Sequence, residues 1–250
     1  MIELKTKGDI EKLKVANKIV AEILEIVKDE IRPGVSAKHL DDIAREEAYK
    51  RGVRPSFLGL YGFPASLCVS INEEVVHGIP TENKIIKEGD VVSIDFGIEY
   101  EGWYGDAALT VAVGDASDRK KRLIEGVEKS LYEGINVCVP GNTLKDVARA
   151  IEKVLADYRL TPVCDYGGHG IGRKPHEEPH VTNCIGNAEN IEIVEGMVLA
   201  IEPMAYLGKG KIRKLKDGWT VVTSDKTHAA HFEHTVAIYG GKVEILSKVD

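Results

Sequence analysis

The chain has 250 residues and a net charge of −7, with 40 acidic and 33 basic side chains. This length suits a single domain with a large core, and the negative charge argues against stable nucleic-acid binding. No apolar run approaches the ~20 residues that span a bilayer, and the N-terminus lacks a signal-peptide pattern. The four cysteines form no CxxC pair, which favours a reducing cytoplasm. We therefore expect one cytoplasmic domain, residues 1–250, without membrane contact. Abundant Glu and Lys and the absence of Gln are typical of a thermophile.

Predicted helices and strands follow one another without linkers. Apolar residues at helical spacing, with capping residues, predict four helices that begin near Asp9, Ser36, Ser117 and Thr143. The first would run to about Ile31 and the second to Gly52. Strand-like runs follow the second helix, and strands and loops fill the chain after the fourth.

Two acidic residues lie on the arms of a predicted hairpin. Strand-like runs at 91–97 and 102–111 flank a short polar segment. A turn centred between Tyr100 and Glu101 would place Asp95 directly opposite the acid of the second arm, Asp106, with Cβ atoms about 4.5–5.5 Å apart. Two carboxylates that close repel each other unless they share a proton or a cation. The hairpin therefore predicts a metal site.

A second predicted hairpin carries a second pair of acids. Glu202 and Glu233 are equidistant from the Asp217–Gly218 turn signal. The arms are long and contain glycines that leave room for a bulge. The topology is therefore a firmer prediction than the pairing.

An internal repeat links the two hairpins. Residues 88–95 recur 107 positions later at 195–202, and the Pro-Gly segment 33–36 recurs at the same offset at 140–143. Chance recurrence of common dipeptides is the alternative, but two separate motifs share one offset. We expect a duplicated α/β unit with halves at roughly 9–114 and 115–250, each giving a metal-facing hairpin to a central site.

A histidine lies in the glycine-rich segment 166–172. The segment fails as a dinucleotide fingerprint because Arg173 stands where the last glycine is needed. The glycines would let the backbone approach something bulky, such as a metal cluster or a peptide. The alternative for His169 is a structural histidine. With the four acids it completes a donor set for hard or borderline divalent metals.

These residues resemble the type I methionine aminopeptidases, which share the pita-bread fold with prolidase and aminopeptidase P. The resemblance covers essentially the whole chain. Besides the two hairpins, it rests on segments 70–80, 168–172, 176–179, 201–204, 217–220 and 232–235. It implies an α+β, pseudo-two-fold duplicated unit with a central curved, mainly antiparallel sheet. The short connection between His176 and Glu202 and the small N-terminal region favour the bacterial, free-standing type.

The resemblance also implies a site and a reaction. Its five metal ligands would be Asp95, Asp106, His169, Glu202 and Glu233, holding two divalent ions of Co, Mn, Fe or Zn. The reaction is removal of the initiator methionine by attack of a metal-bridged hydroxide on the first peptide carbonyl. Glu202 would shuttle the proton, and His77 and His176 would contact the substrate. Ordinary structural histidines are the alternative for the last two.

The resemblance also implies a pocket for the methionine side chain, in less detail than the metal site. By resemblance its walls are Phe57, Leu60, Phe63, Cys68 and Trp219. Leu60-Tyr61 replaces an aromatic–histidine pair of many relatives, and Pro175 replaces an aromatic before the second histidine. These departures affect the shape of the pocket rather than the hydrolytic chemistry.

The expected partners are N-terminal peptides of nascent proteins, with a transient ribosome contact left open and a monomer expected. The basic cluster between Lys209 and Lys216 is interpreted as a solvated hairpin in preference to an RNA-contacting patch. The remaining histidines are interpreted as structural, with His231 the least certain because it would share a strand face with Glu233. They are His39, His180, His228, His231 and His234.

Two rival functions remain open. One is an Xaa-Pro dipeptidase or iminopeptidase of the same fold. The other is a pita-bread peptide-binding module without activity, although such proteins typically lose ligands and none is missing here. A serine or cysteine hydrolase is disfavoured because the chain has no G-x-S-x-G elbow.

Overall fold

The computed structural model describes residues 1–249, so Asp250, the last residue of the predicted domain, lies outside it. Four helices occur in this range: α1 (Lys7–Asp29), α2 (Ala37–Lys50), α3 (Asp118–Val137) and α4 (Leu144–Asp157). Helix α1 begins two residues earlier than predicted because Thr6 and Asp9 form a capping box. Ser36 and Thr143 cap α2 and α4 as predicted.

Fifteen strands pair antiparallel across the same range. They form one nine-stranded sheet and two three-stranded sheets. The strands are β1 (Arg54–Pro55), β2 (Leu67–Ile71), β3 (Glu74–Val76), β4 (Val91–Tyr100), β5 (Trp103–Ala112), β6 (Thr161–Pro162), β7 (Gly167–Gly170), β8 (Glu177–Thr182), β9 (Val198–Ile201), β10 (Met204–Tyr206), β11 (Ile212–Lys214), β12 (Val221–Thr223), β13 (Ala229–His231), β14 (Glu233–Tyr239) and β15 (Lys242–Ile245). The large sheet runs β1-β4-β5-β14-β9-β7-β8, with β2 beside β4 and β15 beside β14.

Each half of the chain packs its two helices on its own part of the large sheet. In the first half, Ile23 and Leu40 pack with Ile94 and Phe96 of β4. In the second half, residues of α3 and α4 pack with β9 and β14 in the same way. Since side chains alternate along a strand, the residue between Ile94 and Phe96, Asp95, faces away from the helices. The helix layer thus leaves the opposite face of the sheet for polar side chains.

The predicted duplication is present in the backbone. Strands β4 and β9 begin 107 residues apart, and so do the caps Ser36 and Thr143. Isolated bridges at the same offset hold both caps, Ser36 to Ile85 and Thr143 to Glu192. The predicted duplication is therefore seen in the backbone, while the predicted boundary between residues 114 and 115 stays a prediction.

The predicted register of the first hairpin is wrong by one residue at its turn. Asp95 pairs with Ala108, and Asp106 pairs with Gly97. The turn centres on Glu101 and Gly102, which both take positive φ, at 51° and 78°. Such a turn matches the strand twist. The two acids are therefore diagonal neighbours on one face instead of a facing pair.

The predicted register of the second hairpin holds over its whole length. Ile201 pairs with His234, Met204 with His231, and Ile212 with Thr223. Each of these pairs is equidistant from the Asp217–Gly218 turn, so the glycines of the arms introduce no shift. The acids at 202 and 233 lie between the first two pairs, where the hairpin passes from the large sheet into a small one.

The cysteines differ from the sequence-based interpretation. Cys164 and Cys184 form a disulfide, with their Cα atoms 5.4 Å apart, and Cys68 and Cys138 are buried free thiols. The strand pairing of β7 with β8 brings the two bonded residues together across a separation of 20 residues, which no short motif encodes. The cysteine pattern therefore no longer supports a reducing compartment. No helix of residues 1–249 is long and apolar enough to cross a membrane.

Candidate metal centre

Five neighbouring strands of the large sheet each bring one predicted ligand to the face opposite the helices. The strands lie in the order β4, β5, β14, β9 and β7. They carry Asp95, Asp106, Glu233, Glu202 (directly after β9) and His169, in that order. The antiparallel pairing thus converges residues that are up to 138 positions apart in sequence.

Donor atoms of these residues fall into two overlapping groups. Atoms of Asp95, Asp106 and Glu233 lie within 4.8 Å of one another, and so do atoms of His169, Glu202 and Glu233. These two groups share Glu233, as expected if one carboxylate serves two ions. A third group at the same spacing joins Asp106 and His169 to His176. The sequence-predicted ligands are thus brought together, whereas their individual roles stay predictions.

Buried oxygen atoms in this cluster have no hydrogen-bond partner among the described residues: Asp95 Oδ1, Asp106 Oδ1 and Glu233 Oε1. A buried polar atom left unsatisfied costs roughly 1–3 kcal/mol, and more if it is charged. Hard and borderline divalent cations bind carboxylate oxygen and imidazole nitrogen. The donor set therefore fits divalent metal.

The pKa values of the cluster also indicate a bound cation. Burial raises the pKa of Asp95 to about 7. Burial also raises the pKa of Asp106, Glu202 and Glu233, and the neighbouring carboxylates raise it further. Four such acids ionise together only if a cation offsets their repulsion.

The imidazole of His169 is oriented for ligation. Its Nδ1 lies 2.9 Å from the carbonyl oxygen of Gly170, so Nδ1–H donates to that oxygen. Nε2 then carries a lone pair directed at Glu202, whose Oε1 is 3.5 Å away. Burial, followed by the neighbouring His176, lowers the pKa of His169 to about 3, which keeps the ring neutral.

The glycines around this histidine have a different purpose from the predicted one. A Cβ on Gly168 would lie 2.0 Å from the backbone oxygen of Ala200, and one on Gly170 would lie 2.2 Å from that of Glu178. The glycines therefore allow β7 to pack between β8 and β9. They do not make room for a ligand.

A cavity of about 230 Å³ adjoins the acidic cluster. Its apolar walls are the five predicted pocket residues, Phe57, Leu60, Phe63, Cys68 and Trp219. Phe63 and Trp219 meet edge to face with ring centroids 5.2 Å apart. Cys68 pairs with Asp95 across β2 and β4, which places the thiol at the boundary between apolar cavity and acids.

Both predicted substrate-contacting histidines line the same cavity. The ring of His77 lies edge-on to Tyr166 at 5.7 Å, and that of His176 lies 4.5 Å from the ring of His169. Burial, followed by His176, lowers the pKa of His77 to about 4, so this ring is neutral at pH 7.

The sequence pattern of metallopeptidase family M24 matches residues 11–239. The chain belongs to this family. It is similar to the methionine aminopeptidase of Aquifex aeolicus, with 47% identity over 95% of both chains. The crystal structure of methionine aminopeptidase from Thermotoga maritima superimposes with a TM-score of 0.97 and 42% identity over 100% of both chains. Within M24, the chain thus belongs with the methionine aminopeptidases.

A third comparison concerns the fold alone. Prolidase from Pyrococcus furiosus has a TM-score of 0.80 at 23% identity, and the match covers 99% of this chain and 66% of that one. The predicted pita-bread fold and metal-dependent aminopeptidase family are therefore confirmed. The greater identity to methionine aminopeptidases favours that function over the Xaa-Pro dipeptidase alternative.

Two residues near the M24 metal centre were missed as site residues. Tyr61 is exposed and stacks on the ring of His176, at 6.1 Å and an interplanar angle of 10°. His231 was expected to share a strand face with Glu233, but the chain changes sheets at Phe232, so His231 belongs to β13 and Glu233 to β14. The proline at position 203, opposite this point of the hairpin, was the signal for the break.

Proposed function

We propose that the protein removes the initiator methionine from nascent polypeptides, using two divalent ions held by the five clustered ligands. It is a metal-dependent aminopeptidase of family M24. The finer assignment depends on one observation: a buried carboxylate–imidazole cluster opens directly into a small apolar cavity.

Two metal positions follow from the two donor groups. Asp95, Asp106 and Glu233 would hold one ion, and His169 and Glu202 would hold the other together with Asp106 and Glu233. When bound, a pair of divalent ions supplies an ionised water nucleophile at neutral pH and offsets charge on the substrate carbonyl oxygen. The donors accept Co, Mn, Fe or Zn.

The acid–base step is assigned to Glu202. Burial, followed by the charge of Asp95, raises the pKa of this carboxyl well above its usual value. This carboxyl is one of the metal donors and also lines the cavity, which places it between the metal site and the substrate for the proton transfer. Glu202 accepts the proton from the attacking water and delivers it to the leaving amine.

The neutral histidines at the cavity mouth bind the reacting amide. His176 is exposed at the mouth and is assigned to donate to the developing oxyanion. His77 lies across the cavity, against Trp219 at 6.4 Å, and is assigned to the scissile nitrogen.

The apolar cavity receives the methionine side chain. Phe57, Phe63 and Trp219 supply flat aromatic surfaces, and Leu60 closes one side. Burial raises the pKa of the Cys68 thiol well above its usual value, so a neutral, polarisable sulfur faces the thioether.

The place of action and the partners follow from this substrate. Initiator methionine is carried by newly made chains, so we propose that the enzyme acts in the cytoplasm on N-terminal peptides. We further propose that it is a monomer. The five basic residues at 209–216 are exposed on their hairpin, and none of them lines the cavity.

The test is a peptide assay on metal-free protein reconstituted separately with each ion. Release of methionine from Met-Ala-Ser, with Ala-Pro left intact, supports the proposal. Cleavage of Ala-Pro with Met-Ala-Ser spared would establish the dipeptidase alternative. A folded protein that binds no divalent ion by calorimetry would favour a non-catalytic module.

A further inference from the structure

One buried imidazole beside the metal centre has no part in the proposed reaction. The side chain of His231 is 2% exposed, and its Nε2 lies 3.7 Å from Oε2 of Glu202. Within residues 1–249 this Nε2 has no hydrogen-bond partner. A buried ring nitrogen without a hydrogen-bond partner is costly, so the placement of this one beside a carboxylate oxygen requires an explanation.

The backbone of His231 is fixed on both sides by one hydroxyl group. The Thr110 hydroxyl donates to the carbonyl oxygen of His231 at 2.6 Å and accepts from the amide N–H of His231 at 3.0 Å. Because its one proton is used, the Ser93 hydroxyl 2.8 Å away is the donor in that contact. This buried network connects β4 and β5 to β13 and fixes the position of the backbone from which the imidazole projects.

The two oxygens of Glu202 face different neighbours. Oε1 faces the Nε2 of His169 at 3.5 Å, on the side of the metal donors, and Oε2 faces His231. The amide of Asn183 donates to the backbone oxygen of Glu202 at 3.1 Å, so the main chain is also held. The carboxylate therefore has one oxygen for a metal and one for a hydrogen-bond donor.

We propose that His231 is a positioning residue: its Nε2–H donates to Oε2 of Glu202 and turns Oε1 toward the metal. The inference rests on the proposed function, because it assigns Glu202 as a ligand. His231 is in none of the groups of potential metal ligands among the described residues, so it acts through Glu202. Hydrogen-bonded partners of ligating carboxylates typically contribute 10–100-fold to metal affinity or activity.

Two substitutions separate positioning from packing. His231→Leu fills a similar volume without a donor, whereas His231→Gln keeps an N–H at the end of the side chain. His228→Leu is the matched control, because His228 lies in the loop before the same strand and the charged groups that act on it, Lys120 and Glu73 among them, lie outside the metal centre. Metal-free melting temperatures show whether each variant is folded.

The readouts are calorimetric titration with Mn²⁺, the visible spectrum of the Co²⁺ form, and kinetics on Met-Ala-Ser. For His231→Leu we expect one of two ions to bind about 10–100-fold more weakly, an altered Co²⁺ spectrum, and a lower kcat with KM within about two-fold. His231→Gln and His228→Leu should bind metal and react as the wild type does.

Three results would overturn the inference. They are wild-type metal binding and turnover in His231→Leu, equal losses in His231→Gln and His231→Leu, or an equal loss in the control variant. Failure of the wild-type protein itself to bind two ions would instead refute the proposed function. The two failures are therefore distinguishable.

Discussion

Replacing Asp95 by asparagine tests whether the metal-free acidic cluster is destabilising. Burial raises the pKa of this carboxyl from 3.8 to about 7. A tenfold change in proton affinity corresponds to about 1.4 kcal/mol, so ionising Asp95 in the folded protein costs about 4 kcal/mol. Asparagine has the same shape without the charge and removes this cost.

The sign of the pH dependence follows from the raised pKa. Because the folded-state pKa exceeds the unfolded-state value, stability is fully present below the unfolded pKa and is lost as the pH rises through about 7. In metal-free protein, Asp95 alone should lower the free energy of unfolding by about 4 kcal/mol between pH 4 and pH 8. The Asp95→Asn variant should therefore melt roughly 8–16 °C above wild type at pH 8 and close to it at pH 4.

The assay is thermal unfolding with a chelator at both pH values, followed by addition of Mn²⁺. At pH 8, Mn²⁺ should stabilise the wild type strongly. It should stabilise the variant much less, because one ligand has been removed. The exposed Asp29→Asn is the control and should change neither quantity. The reasoning is refuted if Asp95→Asn is no more stable than wild type at pH 8, or if Mn²⁺ stabilises both equally.

Three further predictions concern the surroundings of the metal centre. Lys5→Met should lower the melting temperature and kcat. The buried Lys5 ammonium binds the Glu177 carboxylate at 2.7 Å, and that carboxylate also accepts two backbone N–H groups of the loop before His176. Unchanged melting and kinetics would contradict this. Replacing both Cys164 and Cys184 by alanine should cost about 3 kcal/mol in urea unfolding, since the bond closes a loop of about 20 residues; a dithiol reductant should have the same effect on wild type and none on the variant. Tyr61→Ala should raise KM for Met-Ala-Ser several-fold without changing urea stability, because the ring is exposed but stacks on the mouth histidine; an unchanged KM would exclude this contact from substrate binding.

The sequence predicted which residues form the site more accurately than it predicted how the strands that carry them pair. The Asp217–Gly218 turn predicted the register of the second hairpin, since that dipeptide favours one turn type. The first hairpin lacks an equally distinct signal, because the left-handed backbone of Glu101 is set by its glycine neighbour and by strand twist. The prediction there was displaced by one residue, yet both acids stayed on one face.

Long-range neighbours were the least predictable feature. Nothing near Cys164 indicates Cys184, and the change of sheets before Glu233 is marked only by Pro203 on the opposite arm of the hairpin. The internal repeat helped because it placed two motifs in equivalent positions before any tertiary contact was known. Its equivalent glycines, Gly34 and Gly141, have φ of 90° and 92°.

Diffraction from crystals soaked in Mn²⁺, recorded at the manganese absorption edge, tests the metal centre most directly. We predict two anomalous peaks about 3.5–4 Å apart, both within bonding distance of Asp106 and Glu233. One peak should also contact Asp95, and the other His169 and Glu202. No anomalous density among these side chains, or peaks at other residues only, would contradict the assignment of the five ligands.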